Sequence, residues 1–238
     1  MKLLRFFKDS FRALTPFELT LWLCSLAAII LSFFLAHGTD YITFAASLIG
    51  ATSLLFLAKG NVLGQFLVIA FGILYAIVSY SFAYYGEMIT YLGMTLPSAV
   101  VSVVVWLKNS FRGSNTEIKI NALKKREYPV ILALAAAVTV AFYFILRALG
   151  TNNLIFSTVS VLTSFVASAL AIRRSPLYAL AYACNDIVLI VLWILATIES
   201  LSYLPMIVCF AVFLVNDFYG FVSWRRIRRR QNAEPPSE

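Results

Sequence analysis

The sequence predicts an all-α integral membrane protein of about eight transmembrane helices. Three observations lead there. Hydrophobic residues make up 61% of the chain and charged residues only 13%, against about 25% charged in soluble domains, and the mean hydropathy is +0.87. Apolar runs of helix-spanning length fill most of the 238 residues. The 19 Lys and Arg residues cluster in alternate connecting segments, as spans of alternating direction require.

In order, the apolar runs fall at 17–37, 41–58, 62–85, 88–107, 129–149, 152–171, 177–198 and 203–224. Between them stand Lys2, Arg5, Lys8 and Arg12; then Asp40; Lys59; Glu87; the basic loop Lys108 to Arg126; the turn GTNN at 150–153; Arg173 and Arg174; Glu199; and Arg225 to Arg230. Every Lys and Arg except Arg147 then lies on one side, and basic flanks resist translocation, so both termini are expected in the cytoplasm of a multi-pass cell-membrane protein. Arg147 near a helix end can snorkel to headgroups. The opening "MKLLRFFKDSFR" is basic, but the run after it is too long for a signal peptide and has no small-x-small cleavage site.

Several function classes drop out. Cys24, Cys184 and Cys209 are scattered in apolar runs, and His37 is the only histidine, so no metal site, disulfide framework or catalytic triad assembles and no cofactor is called for. "FLAKGNVLGQ" lacks the GxxxxGK[ST] pattern of a phosphate-cradling loop. "RRIRRR", directly after a span, reads as a topology anchor attracting anionic lipid, not nucleic acid. An enzyme is not expected.

A three-helix pattern occurs twice. From 41 to 108 it runs helix, basic turn at Lys59, helix, acidic turn at Glu87, helix ending in Trp106 and Lys108; from 152 to 226, Arg173 and Arg174, Glu199, and Trp224 with Arg225 take the corresponding places. The helix at 129–149 links the copies. This 3+1+3 plan makes them parallel repeats, with 1–37 as cytoplasmic N-terminus and extra helix, 109–128 as a basic cytoplasmic loop and 227–238 as a tail.

Polar residues inside the runs point to a site. "YACNDIVLIVLW" and "FLVNDFYGFVSW" each carry an Asn-Asp pair, although an acid at mid-span costs about 2.5–3.5 kcal/mol. Positions seven apart share a helix face, placing Asp186 with Trp193 and Asp217 with Trp224; Asn216 and Tyr219 adjoin. Amides, acids and rings together suit a flat, uncharged or cationic ligand bearing hydroxyls. Asn185, Asp186, Trp193, Asn216, Asp217 and Tyr219 are therefore candidate substrate contacts, with Gln65 and Tyr75 from the first repeat and Tyr178 and Tyr182 extending the lining. Hydrogen bonding between helices is the competing reading for each Asn and Asp. Trp106 and Trp224, each just before a basic residue, read as interfacial belt residues.

"SLIGATSLLFLAKGNVLGQ", "RRSPLYALAYACNDIVLIVLW" and "NDFYGFVSW" resemble the PnuC-type nicotinamide riboside transporters, over about residues 15–226. The resemblance implies a SWEET-like fold with one substrate site between two three-helix bundles. It also implies facilitated diffusion of nicotinamide riboside for NAD biosynthesis, with trapping by a cytoplasmic kinase and no coupling ion. Asn185 matches the Asn closing the family's W-x-x-W-x-x-x-N motif, whose Trp positions here hold Tyr178 and Ala181; Asn216 matches the polar position of the last helix. Thiamine, riboflavin or a deoxynucleoside are alternative substrates, and a proton symporter using Asp186 or Asp217 is an alternative mechanism. Assembly into a homo-oligomer stays open.

Overall fold

Where the chain turns, caps fix the helix ends. In the computed structural model, which describes residues 2–36, 40–81, 84–114, 116–199 and 204–233, a short helix α1 (Lys2–Arg12) precedes α2 (Pro16–Leu35), α3 (Tyr41–Ala58) and α4 (Val62–Ser81). Next come α5 (Tyr85–Thr90), a π-helical turn at Tyr91–Thr95 and α6 (Leu96–Lys108), then α7 (Glu127–Ala148), α8 (Leu154–Ile172), α9 (Leu177–Glu199) and α10 (Leu204–Ala233). Among the described residues, 8 helical stretches are long and apolar enough to cross a membrane, Tyr85–Lys108 counting as one. The expected all-helical fold holds, and the N-terminal run, α2, is one of the span-length helices. His37 lies outside the described residues, as do the last residues of the tail.

Six helices pack in a closed ring, which divides in chain order into a trio α3, α4 and α6 and a trio α8, α9 and α10. α3 packs on α4 and α4 on α6; α8 packs on α9 and α9 on α10; α3–α10 and α6–α8 contacts join them. α7 lies against α8 and of its residues only Ala135 and Leu146 are buried, so its remaining surface suits lipid. α2 sits against α3 and α10. Its start is held by a capping box between Thr15 and Glu18 with Pro16 at the first helical position.

The ends of α3 and α8 are built alike. After α3, Gly60 (φ 64) and after α8, Arg174 (φ 56) take the left-handed conformation. Asn61 N–H donates back to Phe56 O and Ser175 N–H to Leu170 O, closing each helix. The Asn61 side chain then accepts from Leu63 N–H and the Ser175 hydroxyl from Leu177 N–H, starting the next helix.

Trp106 and Trp224 overturn the belt reading. Both are fully buried and donate reciprocally across the trios. Trp106 Nε1 donates to Ala171 O at the end of α8 (3.0 Å), and Trp224 Nε1 to Leu57 O at the end of α3 (2.7 Å). Their rings meet at 5.5 Å. A basic neighbour marks the membrane surface in sequence, but the helix ends they cap are carbonyls that need donors.

The basic loop is a strap across one end of the bundle. Ile118 is buried and its N–H donates to Gly60 O at 3.0 Å; Asn121 N–H donates to Arg174 O at 3.0 Å. Ile120 N–H donates to the Gln231 amide at 2.9 Å, and Glu117 pairs with Arg230. One loop thus ties the turn after α3, the turn after α8 and the end of α10 into one basic face.

Glu87 also departs from its expected place in a turn. The span starts at Tyr85, so Glu87 lies inside the helix and is fully buried.

Candidate functional site

Between the trios lies a cavity with about 540 Å³ of atom-free space, its mouth included. Helical spacing selects its walls. On α9, Tyr182, Asn185 and Asp186 fall on one face; on α10, Phe213 and Asp217 are four apart; on α4, Gln65, Val68 and Phe71 follow at threes; Ser53, Leu54 and Leu57 come from α3. Tyr91 and Thr95 enter from the π-helical turn. That turn has a local cause: Pro97 has no N–H to give the carbonyl of Gly93, and Leu96 N–H instead bonds Tyr91 O, five residues back.

Asn185 is oriented from behind. Its Oδ1 accepts from three hydroxyls of α8: Thr163 at 2.8 Å, Ser164 at 3.0 Å and Ser160 at 3.4 Å. With the oxygen committed to α8, the amide nitrogen is the group left for the cavity that Asn185 lines. Asp186 and Asp217, both buried, bring their carboxyl groups to the same cavity from α9 and α10. Oδ2 of Asp186 has no hydrogen-bond partner among the described residues. Tyr182 is held by Ser168 at 3.2 Å. The remaining wall consists of the ring faces of Phe71, Tyr91 and Phe213, with Phe71 and Phe213 edge to face at 5.4 Å.

Of the residues chosen from sequence, Asn185, Asp186, Asp217, Gln65 and Tyr182 line this cavity; the others do not. Tyr75 and Trp193 bond each other (3.1 Å) and pack in a layer next to it, Tyr75 tilted against Tyr91 at 4.3 Å and Trp193 edge to face with Tyr84 at 5.0 Å. Tyr178 packs on Trp224 at 4.4 Å. Asn216 and Tyr219 turn away toward α2. Asn216 Nδ2 donates to Ser25 (3.0 Å), and Tyr219 donates to Glu18 (2.7 Å), which also pairs with Lys59 at 3.1 Å. The α10 face bearing Asn216 and Tyr219 therefore reads as helix-to-helix bonding, which a lone helix pattern cannot separate from ligand contact.

Sequence reading missed Phe71, Tyr91, Phe213, Ser53 and Thr95, because nothing in composition distinguishes a ring facing a cavity from one facing lipid. The proline two residues after Thr95 was the available signal for the π turn. Glu87 was missed as well. Ser160 stands 3.5 Å from its Oε2 and 3.4 Å from Asn185, while Oε1 of Glu87 has no hydrogen-bond partner among the described residues.

Comparison with known proteins gives a consistent picture. Residues 40–226 match the family described as nicotinamide mononucleotide transporter. The chain is 26% identical over 231 residues to the nicotinamide riboside transporter PnuC of Neisseria mucosa, covering 95% of this chain and 88% of that protein. It is 23% identical over 220 residues to the protein of the same name from Haemophilus influenzae, covering 91% and 93%. Among solved structures, the crystal structure of the vitamin B3 transporter PnuC superposes with a TM-score of 0.84 at 26% identity, covering 96% of this chain and 99% of that one.

Proposed function

Because this chain belongs to the nicotinamide mononucleotide transporter family of membrane transporters, we propose that it is a uniporter for nicotinamide riboside. The carrying observation is the cavity lining: two carboxyl groups, two amide side chains and several ring faces, with no Lys or Arg among the described residues. The pyridinium ring of the riboside is flat and cationic, suiting aromatic faces and the Asp186–Asp217 pair. Its ribose hydroxyls suit Gln65 and the amide nitrogen of Asn185.

The same lining argues for the riboside over its phosphate ester. A phosphate brings about −1.5 to −2 charges, which a site with two acids and no cation repels. Phosphorylation by a cytoplasmic kinase would then trap the substrate, since the product no longer fits the path by which it came. The names of the two relatives point the same way.

The transport cycle we infer rocks the trio α3–α6 against α8–α10 as two parallel repeats, with both termini cytoplasmic. The reciprocal Trp106 and Trp224 bonds and the matching turns at Gly60 and Arg174 support this division. The layer of Tyr75, Tyr84 and Trp193, opposite the basic face, serves as the outer closure. Proteoliposomes holding the purified protein are expected to take up labelled nicotinamide riboside saturably with no ion gradient. Uptake that requires a gradient would overturn the uniporter.

One observation favours a second reading, proton symport: two buried carboxyl groups, Asp186 and Asp217, line the same cavity, and Asp186 Oδ2 has no hydrogen-bond partner among the described residues. In that case an imposed pH gradient would drive accumulation, and Asp186→Asn would abolish the response. A flat response to pH gradients eliminates it.

A further inference from the structure

The basic face carries a second hollow, apart from the cavity between the trios. It has about 770 Å³ of atom-free space, mouth included, and lies between the loop before α7, the first turn of α7, the turn before α9 and the end of α10. One side is apolar, formed by Leu123, Leu177 and Phe221. The other offers two hydroxyls, Tyr128 and Ser175, and two guanidinium groups, Arg225 and Arg228.

These arginines are positioned and uncompensated. They are three apart on α10 and so share a face, and the Arg225 guanidinium sits 5.5 Å from the centre of the Phe221 ring. Acids nearby are already engaged: Glu127 pairs with Arg173 and Glu117 with Arg230. Neither Arg225 nor Arg228 has a carboxylate in salt-bridge range among the described residues. One residue before Ser175, Arg174 buries an Nε without a hydrogen-bond partner, adding to the local positive field.

Depth decides what such a hollow takes. Tyr128 is at the start of α7, Leu177 at the start of α9, and Arg225 is the first charge after the apolar run of α10. All three mark the level at which helices leave the hydrocarbon. A phosphate ester with an apolar tail matches a floor of Leu177 and Phe221 beneath paired guanidinium groups. We propose that this hollow binds the phosphodiester headgroup of an anionic phospholipid, held by Arg225 and Arg228 with Tyr128 and Ser175, its acyl chains running along Leu177 and Phe221. Bound there, the lipid ties α10 to the starts of α7 and α9, where the linker helix meets the second trio.

The test uses the purified full-length protein in zwitterionic detergent, titrated with phosphatidylglycerol or phosphatidylcholine while bound lipids are counted by native mass spectrometry. Phosphatidylglycerol is expected to bind preferentially, and R225Q/R228Q to weaken it by about tenfold or more. R226Q/R229Q, removing equal charge from the same helix outside the hollow, is expected to retain it. Equal losses in the two double variants would mean diffuse surface charge and overturn the site. Displacement of the lipid by millimolar inorganic phosphate or nicotinamide mononucleotide would assign the hollow to a soluble phosphate ester and overturn the lipid assignment. An unchanged melting temperature in R225Q/R228Q is the accompanying check that the loss is one of binding.

Discussion

Replacing Asn185 by alanine separates ligand contact from helix glue. The side chain accepts from Thr163, Ser164 and Ser160 through Oδ1. Hydrogen bonds between membrane helices average about 0.6 kcal/mol, so losing all of them destabilises by about 2 kcal/mol at most. Thr163 recovers part of that through the Val159 and Ser160 carbonyls, each at 3.1 Å. On the cavity side, Asn185→Ala removes the amide nitrogen, and loss of a donor to a desolvated ligand is worth about 1.4 kcal/mol or more, a tenfold drop in affinity. Ser164→Ala is the matched control, since it deletes one of the bonds to Oδ1 and leaves the cavity lining intact. Binding of labelled nicotinamide riboside by scintillation proximity, with thermal melting alongside, is the assay. Asn185→Ala should lose affinity tenfold or more, and Ser164→Ala no more than about twofold. Affinity retained in Asn185→Ala, with only the melting temperature lowered, would refute the ligand role.

Trp106→Phe and Trp224→Phe should each lower stability by about 1–3 kcal/mol, because each leaves a buried carbonyl, Ala171 O or Leu57 O, without its donor; comparable melting shifts in both would bear on the reciprocal arrangement. Gly50→Ala should impair binding more than folding, because the new Cβ would stand 2.3 Å from Phe213 Cζ and push that cavity ring from its place; riboside affinity measured beside the melting curve checks this. Tyr219→Phe should cost about 1 kcal/mol of stability by freeing Glu18 from its 2.7 Å bond, yet leave riboside affinity unchanged. A large loss of affinity in Tyr219→Phe would restore that residue to the site.

Much of the fold was legible in the sequence because lipid imposes a simple rule: a spanning helix needs a long apolar run, and its basic flanks stay on one side. Asn185, Asp186, Asp217 and Gln65 were legible for a related reason, since buried polar groups in such runs demand partners. Which partners was a tertiary matter. Asn216, like Asn185, stands before an Asp and three residues from a Tyr, but α2 lies against the face of Asn216 and Tyr219 and meets their needs with Ser25 and Glu18. Trp106 and Trp224 looked like belt residues because sequence records neighbouring charge and not the unsatisfied carbonyls across the bundle. Glu87 looked like a turn residue until the helix was seen to begin before it. The basic loop hid its strap role because Ile118 and Asn121 act through backbone bonds that any sequence could make.

A cavity lined by two acids and, among the described residues, by no Lys or Arg should accept a positively charged nucleoside and reject its phosphate. Isothermal titration of the purified protein with nicotinamide riboside and with nicotinamide mononucleotide, in the same buffer, tests it most directly. The riboside should bind at least about a hundredfold more tightly, a difference of about 2.7 kcal/mol. Equal affinity for the two, or tighter binding of the mononucleotide, would contradict it.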